Sequence, residues 1–407
     1  MALLSVNPAT DETIARYDEH SRETSEEILR LTHAAYEQWR KMSFADRAAC
    51  FNRLAAGLRE NVEPLARLIT GEVGKPIRDA RAEVNKSAGA CEYFAEHAAE
   101  FLRDEEVATD ARKSYVRYEP LGVILGIMPW NFPVWQIIRY AAPVMMAGNA
   151  TVLKHANNAT GCALAVEEQF ARAGFPEHAF RALVIDIPAV RAVIEHSLVA
   201  GVTLTGSPRA GKEVASAAGA VLKKCVLELG GSDPFVLLED ADIDAAIDAG
   251  VTSRLLVSGQ VCISPKRFIV PRALAADFEQ RLVARMGAAK MGDPMDEDTV
   301  YGPLARRDLR DTVARQVNES VARGANVLIG GNAVDGQGAY YPALERGHPP
   351  TTKKFLAPSR RSSSRRMNTT QSGWPTIRRT AWAPSCSAAT SIARSRSRYR
   401  SRRVVVS

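Results

Sequence analysis

Between residues 122 and 231 short apolar runs alternate with stretches of helical character. The runs read GVILGIMPWNF, ATVLKHA, FRALVID, GVTLTGS and KKCVLELGG. Helix-like segments separate them: one ends near Ala173, one covers about 188–197, and one opens near Pro208. Strands that alternate with helices pair in parallel, because each crossover returns the chain to the same edge. The expected class is therefore α/β, a parallel sheet covered by helices on both faces. Ligands of such sheets bind in the loops after the strands. Four conspicuous motifs fall in those loops: Pro129-Trp130-Asn131, Lys154 to Asn157, Gly206-Ser207, and Glu228 to Gly231.

The flanks are simpler. Residues 24–41 carry apolar side chains at helical spacing (Ile28, Leu29, Leu31, Ala35, Trp39), and Ser25 is the expected cap. Residues 46–104 continue as helix, and the polar stretch to Pro120 is partly β-like. No run of about 18 apolar residues could span a membrane, and the N-terminus has no basic region followed by an apolar core. The six cysteines, Cys50, Cys91, Cys162, Cys225, Cys262 and Cys386, show neither a C-x-x-C pair nor metal-ligand spacing. That pattern suits a reducing compartment, and a cytoplasmic location is expected. The net charge of +7 is unevenly spread: residues 1–345 hold 38 basic and 46 acidic side chains, net −8, whereas 346–407 hold fifteen basic and no acidic ones. A basic tail can bind nucleic acid, but the acidic body gives no support for such a partner.

Each motif has an ordinary reading beside the chemical one. MPWNFPVWQ could be a buried aromatic turn, and Gly206 and Gly211 could mark a plain strand-to-helix turn. That turn, with Ser207-Pro208 suited to a helix start, could also receive a phosphate. Glu228 lies in an apolar strand, where a carboxylate is costly unless paired or functional. Cys262, in VSGQVCISPKR, could be an inert thiol.

Taken together, PWNFP, TGS, LELGGSDP and GQVC, in that order, resemble the aldehyde dehydrogenase superfamily, with Glu228 and Cys262 at its separation of 34 residues. KKCVLELGGSDPF and MGDP are similar to its bacterial succinate-semialdehyde subgroup. The resemblance covers about residues 5–345. It implies an aldehyde dehydrogenase-like fold: a Rossmann-like cofactor domain (1–98 and 119–228), an oligomerisation hairpin (99–118), and an α/β catalytic domain (229–345) that is incomplete at its C-terminus. Family members form homodimers or homotetramers, which a missing C-terminus puts in doubt here.

The resemblance also implies roles. Cys262 is the nucleophile, forming a thiohemiacetal and then a thioester. The Asn131 side chain and the Cys262 backbone N–H hold the oxyanion; loss of such a donor costs about 100- to 1000-fold in rate. Glu228 is the general base for hydrolysis. NAD or NADP lies across Met128, Pro129, Trp130, Asn131, Lys154, Asn157, Gly206, Ser207, Gly211 and Leu229. Asn157 stands where NAD-preferring relatives often carry glutamate, so a 2′-phosphate is tolerated. No metal is implied. The substrate is a small aldehyde, for which Arg139 is the clamp of a distal carboxylate and Arg254 a weaker candidate. One departure stands out: Val257 occupies a position often held by asparagine. The competing expectation is an inactive relative that keeps only the fold.

Residues 346–407 depart from the resemblance altogether. TKKFLAPS, read one frame away, can encode Glu-Glu-Val-Phe-Gly-Pro-Val, and GWPTIRRTAWA can encode Leu-Ala-Asn-Asp-Thr-Ala-Tyr-Gly-Leu-Gly-Ala; both are family stretches. A frame slip near residues 341–352 is expected, leaving a disordered tail of low-complexity composition and a polypeptide with little activity.

Overall fold

The computed structural model describes residues 2–332, 334 and 336–343, together with the backbone of three short strands farther on. The chain opens with an antiparallel pair, β1 (Ala2–Val6) and β2 (Thr13–Asp18). Four helices follow: α1 (Arg22–Trp39), α2 (Phe44–Glu60), α3 (Val62–Val73) and α4 (Ile77–Phe101). Helix α1 starts earlier than its apolar spacing suggests. Its cap is Ser21, which accepts from Thr24 N, while Ser25 lies inside the first turn and donates to the Ser21 carbonyl. Two serines four residues apart both suit a cap by type, and the outer one takes it. The hairpin β3 (Glu105–Glu106) and β4 (Tyr115–Val116) interrupts the helices within 99–118.

The alternating region folds as the periodicity predicts. It runs β5 (Val123–Met128), α5 (Pro133–Met146), β6 (Ala150–His155), α6 (Thr160–Arg172), β7 (Phe180–Ala182), α7 (Val190–Glu195), β8 (Val199–Gly206), α8 (Pro208–Ala220) and β9 (Lys224–Leu229). All its strand pairs are parallel, in the order β7-β6-β5-β8-β9. β5 and β6 are almost wholly buried, as strands covered on both faces must be. One face packs on α2 to α6, around Phe51, Leu54, Ile137 and Phe170. The other packs on α1, α7 and α8, around Leu29, Val193 and Ala218. Trp39, fully buried, ties α1 to α5 by donating its indole N–H to the Met145 carbonyl at 2.7 Å.

The second unit contains β10 (Pro234–Val236), α9 (Ile243–Leu255), β11 (Arg267–Val270), α10 (Ala275–Gly287), α11 (Arg307–Ala322) and β12 (Asn326–Ile329) around Phe235, Phe268 and Phe278. Its sheet also takes in β13 (Glu345–Gly347), β14 (Arg360–Ser364) and β15 (Val405–Val406), in the order β12-β13-β14-β11-β10-β15. Parts of three strands (the end of β13, β14 and β15) thus fall in the segment expected to lack order. The rest of 346–407, and part of the expected slip window 341–352, lie outside the described residues. No described helix is long and apolar enough to cross a membrane.

Candidate active site

The strand order reverses direction between β5 and β8, and a cleft opens there beyond the strands' carboxyl ends. Its volume is about 480 Å³. Three separate elements supply its chemistry. The turn after β5 brings Pro129, Trp130 and Asn131; β9 brings Glu228 and Leu229; the loop after α9 brings Gln260, Val261 and Cys262. Gly206 and Ser207, at the start of α8, line the same space, as does Arg254. The cleft wall does not include Met128, Lys154, Asn157, Gly211 or Arg139.

The Asn131 turn is braced from below. Glu83 of α4 is buried, and its Oε1 accepts from Val134 N and Trp135 N at 2.9 Å each. A carboxylate there satisfies two unpaired N–H groups and suits the positive end of α5. Lys75 pairs with Glu83, both side chains fully buried, and its ammonium lies 3.8 Å from the centre of the Phe132 ring. Glu72 serves α6 in the same way, accepting from Gly161 N and Cys162 N. Burial pushes the Glu72 carboxyl above its ordinary range, and the hydrogen bonds from Cys162 oppose it. Sequence reasoning missed both glutamates, because capping one helix from a side chain on another is set by packing and not by spacing.

The Cys262 loop is held differently. Cys262 is exposed. Lys266 directs its ammonium at the carbonyls of Cys262 and of Ser264, the latter at 3.0 Å. Gln260 donates from Nε2 to Val257 O at 3.0 Å, while its Oε1 accepts from Ala305 N at 3.1 Å. Val257 and Ser258 both adopt left-handed backbone, with φ of 50° and 54°. For a β-branched residue that conformation is strained, whereas asparagine takes it readily. The departure at Val257 therefore falls at a position whose backbone favours asparagine. Asn131 reaches across from the other unit and donates from Nδ2 to Gln260 O at 2.8 Å. That bond ties the Asn131 turn to the Cys262 loop.

Glu228 is not the buried carboxylate that its apolar strand suggests. β9 is the sheet's edge strand, the Glu228 side chain keeps 41% of its exposure, and Arg139 Nη2 lies 3.2 Å from its Oε2. Arg139, on α5, also donates to Gln136 Oε1 at 3.3 Å. Arg254 is buried and donates to Gly259 O at 3.3 Å, so it braces the loop that carries Cys262.

Among the expected cofactor positions, Ser207 caps α8 and accepts from Ala210 N, with Pro208 as first helical residue. Gly211 has a packing role: a Cβ there would come within 2.7 Å of the Leu229 side chain, so its absence lets α8 lie against β9. Lys154 is buried at the end of β6 and donates to His155 O at 2.7 Å and to Asn157 Oδ1. Burial pushes its pKa down to about 8, against the pull of Asp186 and Glu19. His155 is pushed down to about 3, chiefly by burial, so it is neutral and its Nδ1–H donates to Met128 O at 3.1 Å.

The sequence profile of the Aldehyde dehydrogenase family matches residues 2–346. The chain belongs to the aldehyde dehydrogenase family. It is 45% identical over 339 residues to the succinate semialdehyde dehydrogenase [NAD(P)+] Sad of Escherichia coli (strain K12), covering 83% of this chain and 73% of that one. It is 46% identical over 342 residues to a probable succinate-semialdehyde dehydrogenase [NADP(+)] of Synechocystis sp., covering 84% and 75%. Among solved structures, the succinic semialdehyde dehydrogenase of Streptococcus pyogenes in complex with NADP+ matches with a TM-score of 0.86 at 34% identity, over 89% of this chain and 82% of that one. The α/β architecture is thus that of an aldehyde dehydrogenase, and the chain is an oxidoreductase by family.

Proposed function

We propose that this protein oxidises a short ω-carboxy aldehyde, succinate semialdehyde, to the corresponding acid with NAD(P). The observation that carries the reading is the convergence of Asn131, Glu228 and Cys262 on one cleft from three elements. The relatives named above are succinate-semialdehyde dehydrogenases, which supports the choice of substrate. The Cys262 thiolate adds to the aldehyde carbon, and the Asn131 amide and the Cys262 N–H hold the oxygen as its charge develops. Glu228 then takes a proton from water as the water oxygen bonds to the thioester carbon; the C–S bond breaks and Cys262 leaves as thiolate. Arg139 holds the substrate's far carboxylate.

The residues fit a nicotinamide dinucleotide. The N-terminus of α8 opens on the cleft with N–H groups suited to a phosphate, Trp130 offers an apolar wall, and buried Lys154 a cation at the end of β6. When bound, the dinucleotide would supply the acceptor for the hydride that the thiohemiacetal carbon loses as it becomes the thioester. The neutral Asn157 leaves room for NADP as well as NAD. On this reading the 99–118 hairpin serves oligomerisation, residues 1–98 and 119–228 form the cofactor domain, and 229–345 the catalytic domain. An exposed reactive thiol suits the reducing cytoplasm.

The same reading takes residues 346–407 as out of frame. In support, the family match stops at residue 346, and acidic residues stop at Glu345. Resequencing the gene across codons 341–352 tests this directly. The activity test mixes the 407-residue chain, and a chain with the frame restored, with succinate semialdehyde and NAD or NADP. Formation of reduced cofactor is expected, and more of it with the frame restored. No reduction by either chain would sink the assignment.

A further inference from the structure

We infer that the substrate's far carboxylate frees the general base by taking Arg139 away from Glu228. The inference rests on the proposed roles of those two residues. Arg139 is already engaged: Nη2 lies 3.2 Å from Glu228 Oε2, and Nη1 donates to Gln136 Oε1 at 3.3 Å. A carboxylate that binds a guanidinium in the two-pronged manner needs a pair of N–H groups on one edge. A second carboxylate brought to the same guanidinium is also repelled by the first. The arriving carboxylate therefore competes with Glu228. Glu228 can yield because the pair is open to water, the Arg139 side chain keeping 28% of its exposure and that of Glu228 41%.

The exchange discriminates between substrates. A carboxylate held by a guanidinium has an oxygen engaged and its orientation fixed toward the partner, away from an attacking water. A neutral aldehyde of the same length leaves the pair intact, and its thioester meets a restrained base. An ω-carboxy aldehyde occupies Arg139 itself, and Glu228 swings free to deprotonate water. Selectivity then arises in the hydrolysis of the thioester as well as in binding.

The test is a titration of the 407-residue chain with succinate, followed through the fluorescence of Trp130 and the other tryptophans. Succinamide is the neutral control, and thermal melts verify that each variant is folded. Removing a competitor tightens binding, so Glu228→Gln is expected to raise succinate affinity. Exposed pairs contribute little, so the gain should be about two- to fivefold. Succinamide affinity should not move. Glu228→Asp, which keeps the charge but shortens its reach, should give a smaller gain in the same direction. Arg139→Ala should weaken succinate by about tenfold or more, the usual worth of hydrogen bonds to a charged group. If Arg139→Ala weakens succinate but Glu228→Gln fails to tighten it, the competition is wrong while Arg139 still reads the carboxylate. If Arg139→Ala leaves succinate unaffected, the substrate reading falls and takes this inference with it.

Discussion

The two loops that meet over the cleft are built on opposite plans. The Asn131 turn stands on buried side chains: Glu83 receives two helix N–H groups, Lys75 holds Glu83, and Phe132 lies against Lys75. The Cys262 loop stands on its own backbone, with carbonyls gathered by Lys266 and Arg254 and two non-glycine residues in left-handed conformation. The Asn131 turn is therefore fixed by a network of buried groups in which each member supports the next. The Cys262 loop is shaped by its own left-handed backbone and carbonyl contacts.

The harshest test of the difference is chemical. Cys262→Ala should abolish dehydrogenase activity in the frame-restored chain while leaving the melting temperature almost unchanged, because the side chain is exposed. Cys225→Ala should keep its turnover. Any residual turnover in Cys262→Ala would remove the nucleophile from that loop.

The next test strikes the buried network. Lys75→Met leaves Glu83 charged and unpaired in the core, a loss of about 3 to 5 kcal/mol by urea unfolding. The double change Lys75→Met with Glu83→Gln should recover part of that loss, since the stranded charge is gone. A Lys75→Met protein as stable as the parent would show that the network does not hold the turn.

Lys154 supplies a test by pH. Its ammonium is pushed from 10.5 to about 8 by burial, so between those values the unfolded chain binds a proton that the native chain does not. Native stability should therefore rise with pH across that window. NADP affinity should move the other way, because the neutral amine no longer attracts the cofactor's oxygens. Titrations at either side of pH 8 check the sign, and equal affinities would take Lys154 out of the cofactor site.

The smallest expected effect lies in the nucleophile loop. Val257→Asn places a residue tolerant of left-handed backbone where valine is strained, and should stabilise the protein by about 1 kcal/mol. Val257→Ile should give no such gain. A destabilised Val257→Asn would mean that burial of the valine side chain, 1% exposed, outweighs its backbone strain.

These contrasts also explain what could be read from the sequence. The strands of the parallel sheet were legible because strands buried on both faces must be apolar throughout, and the turns between them carry glycine and proline. Asn131, Glu228 and Cys262 were legible because their motifs follow strands or flank a lone thiol. Glu228's partner was not legible: Arg139 lies 89 positions away on a helix whose pitch and tilt bring it to the edge strand. Nor were Glu72 and Glu83, since capping a helix from another helix depends on packing rather than on spacing. The packing role of Gly211 was not legible either. Its place in a strand-to-helix turn suits a phosphate, while the nearness of Leu229 that explains it exists only in three dimensions. The left-handed backbone at Val257 leaves no trace in the sequence beyond the unusual residue itself.

The hydrogen bond from Asn131 to Gln260 spans 129 residues of chain, and that span has a consequence for synthesis. At about 5 to 20 residues per second a ribosome takes on the order of ten seconds to cover it. The Glu83 cap on α5, by contrast, closes over 51 residues and is available much earlier. The Asn131 turn can thus be set in place while the Cys262 loop is still being made. A chaperone that binds the growing chain in that interval meets the five-stranded parallel sheet before its partner loop exists. Protease digestion of nascent chains stalled short of Gln260 should therefore spare the β5–β8 region, and its rapid cleavage would show that the first unit needs the second in order to fold.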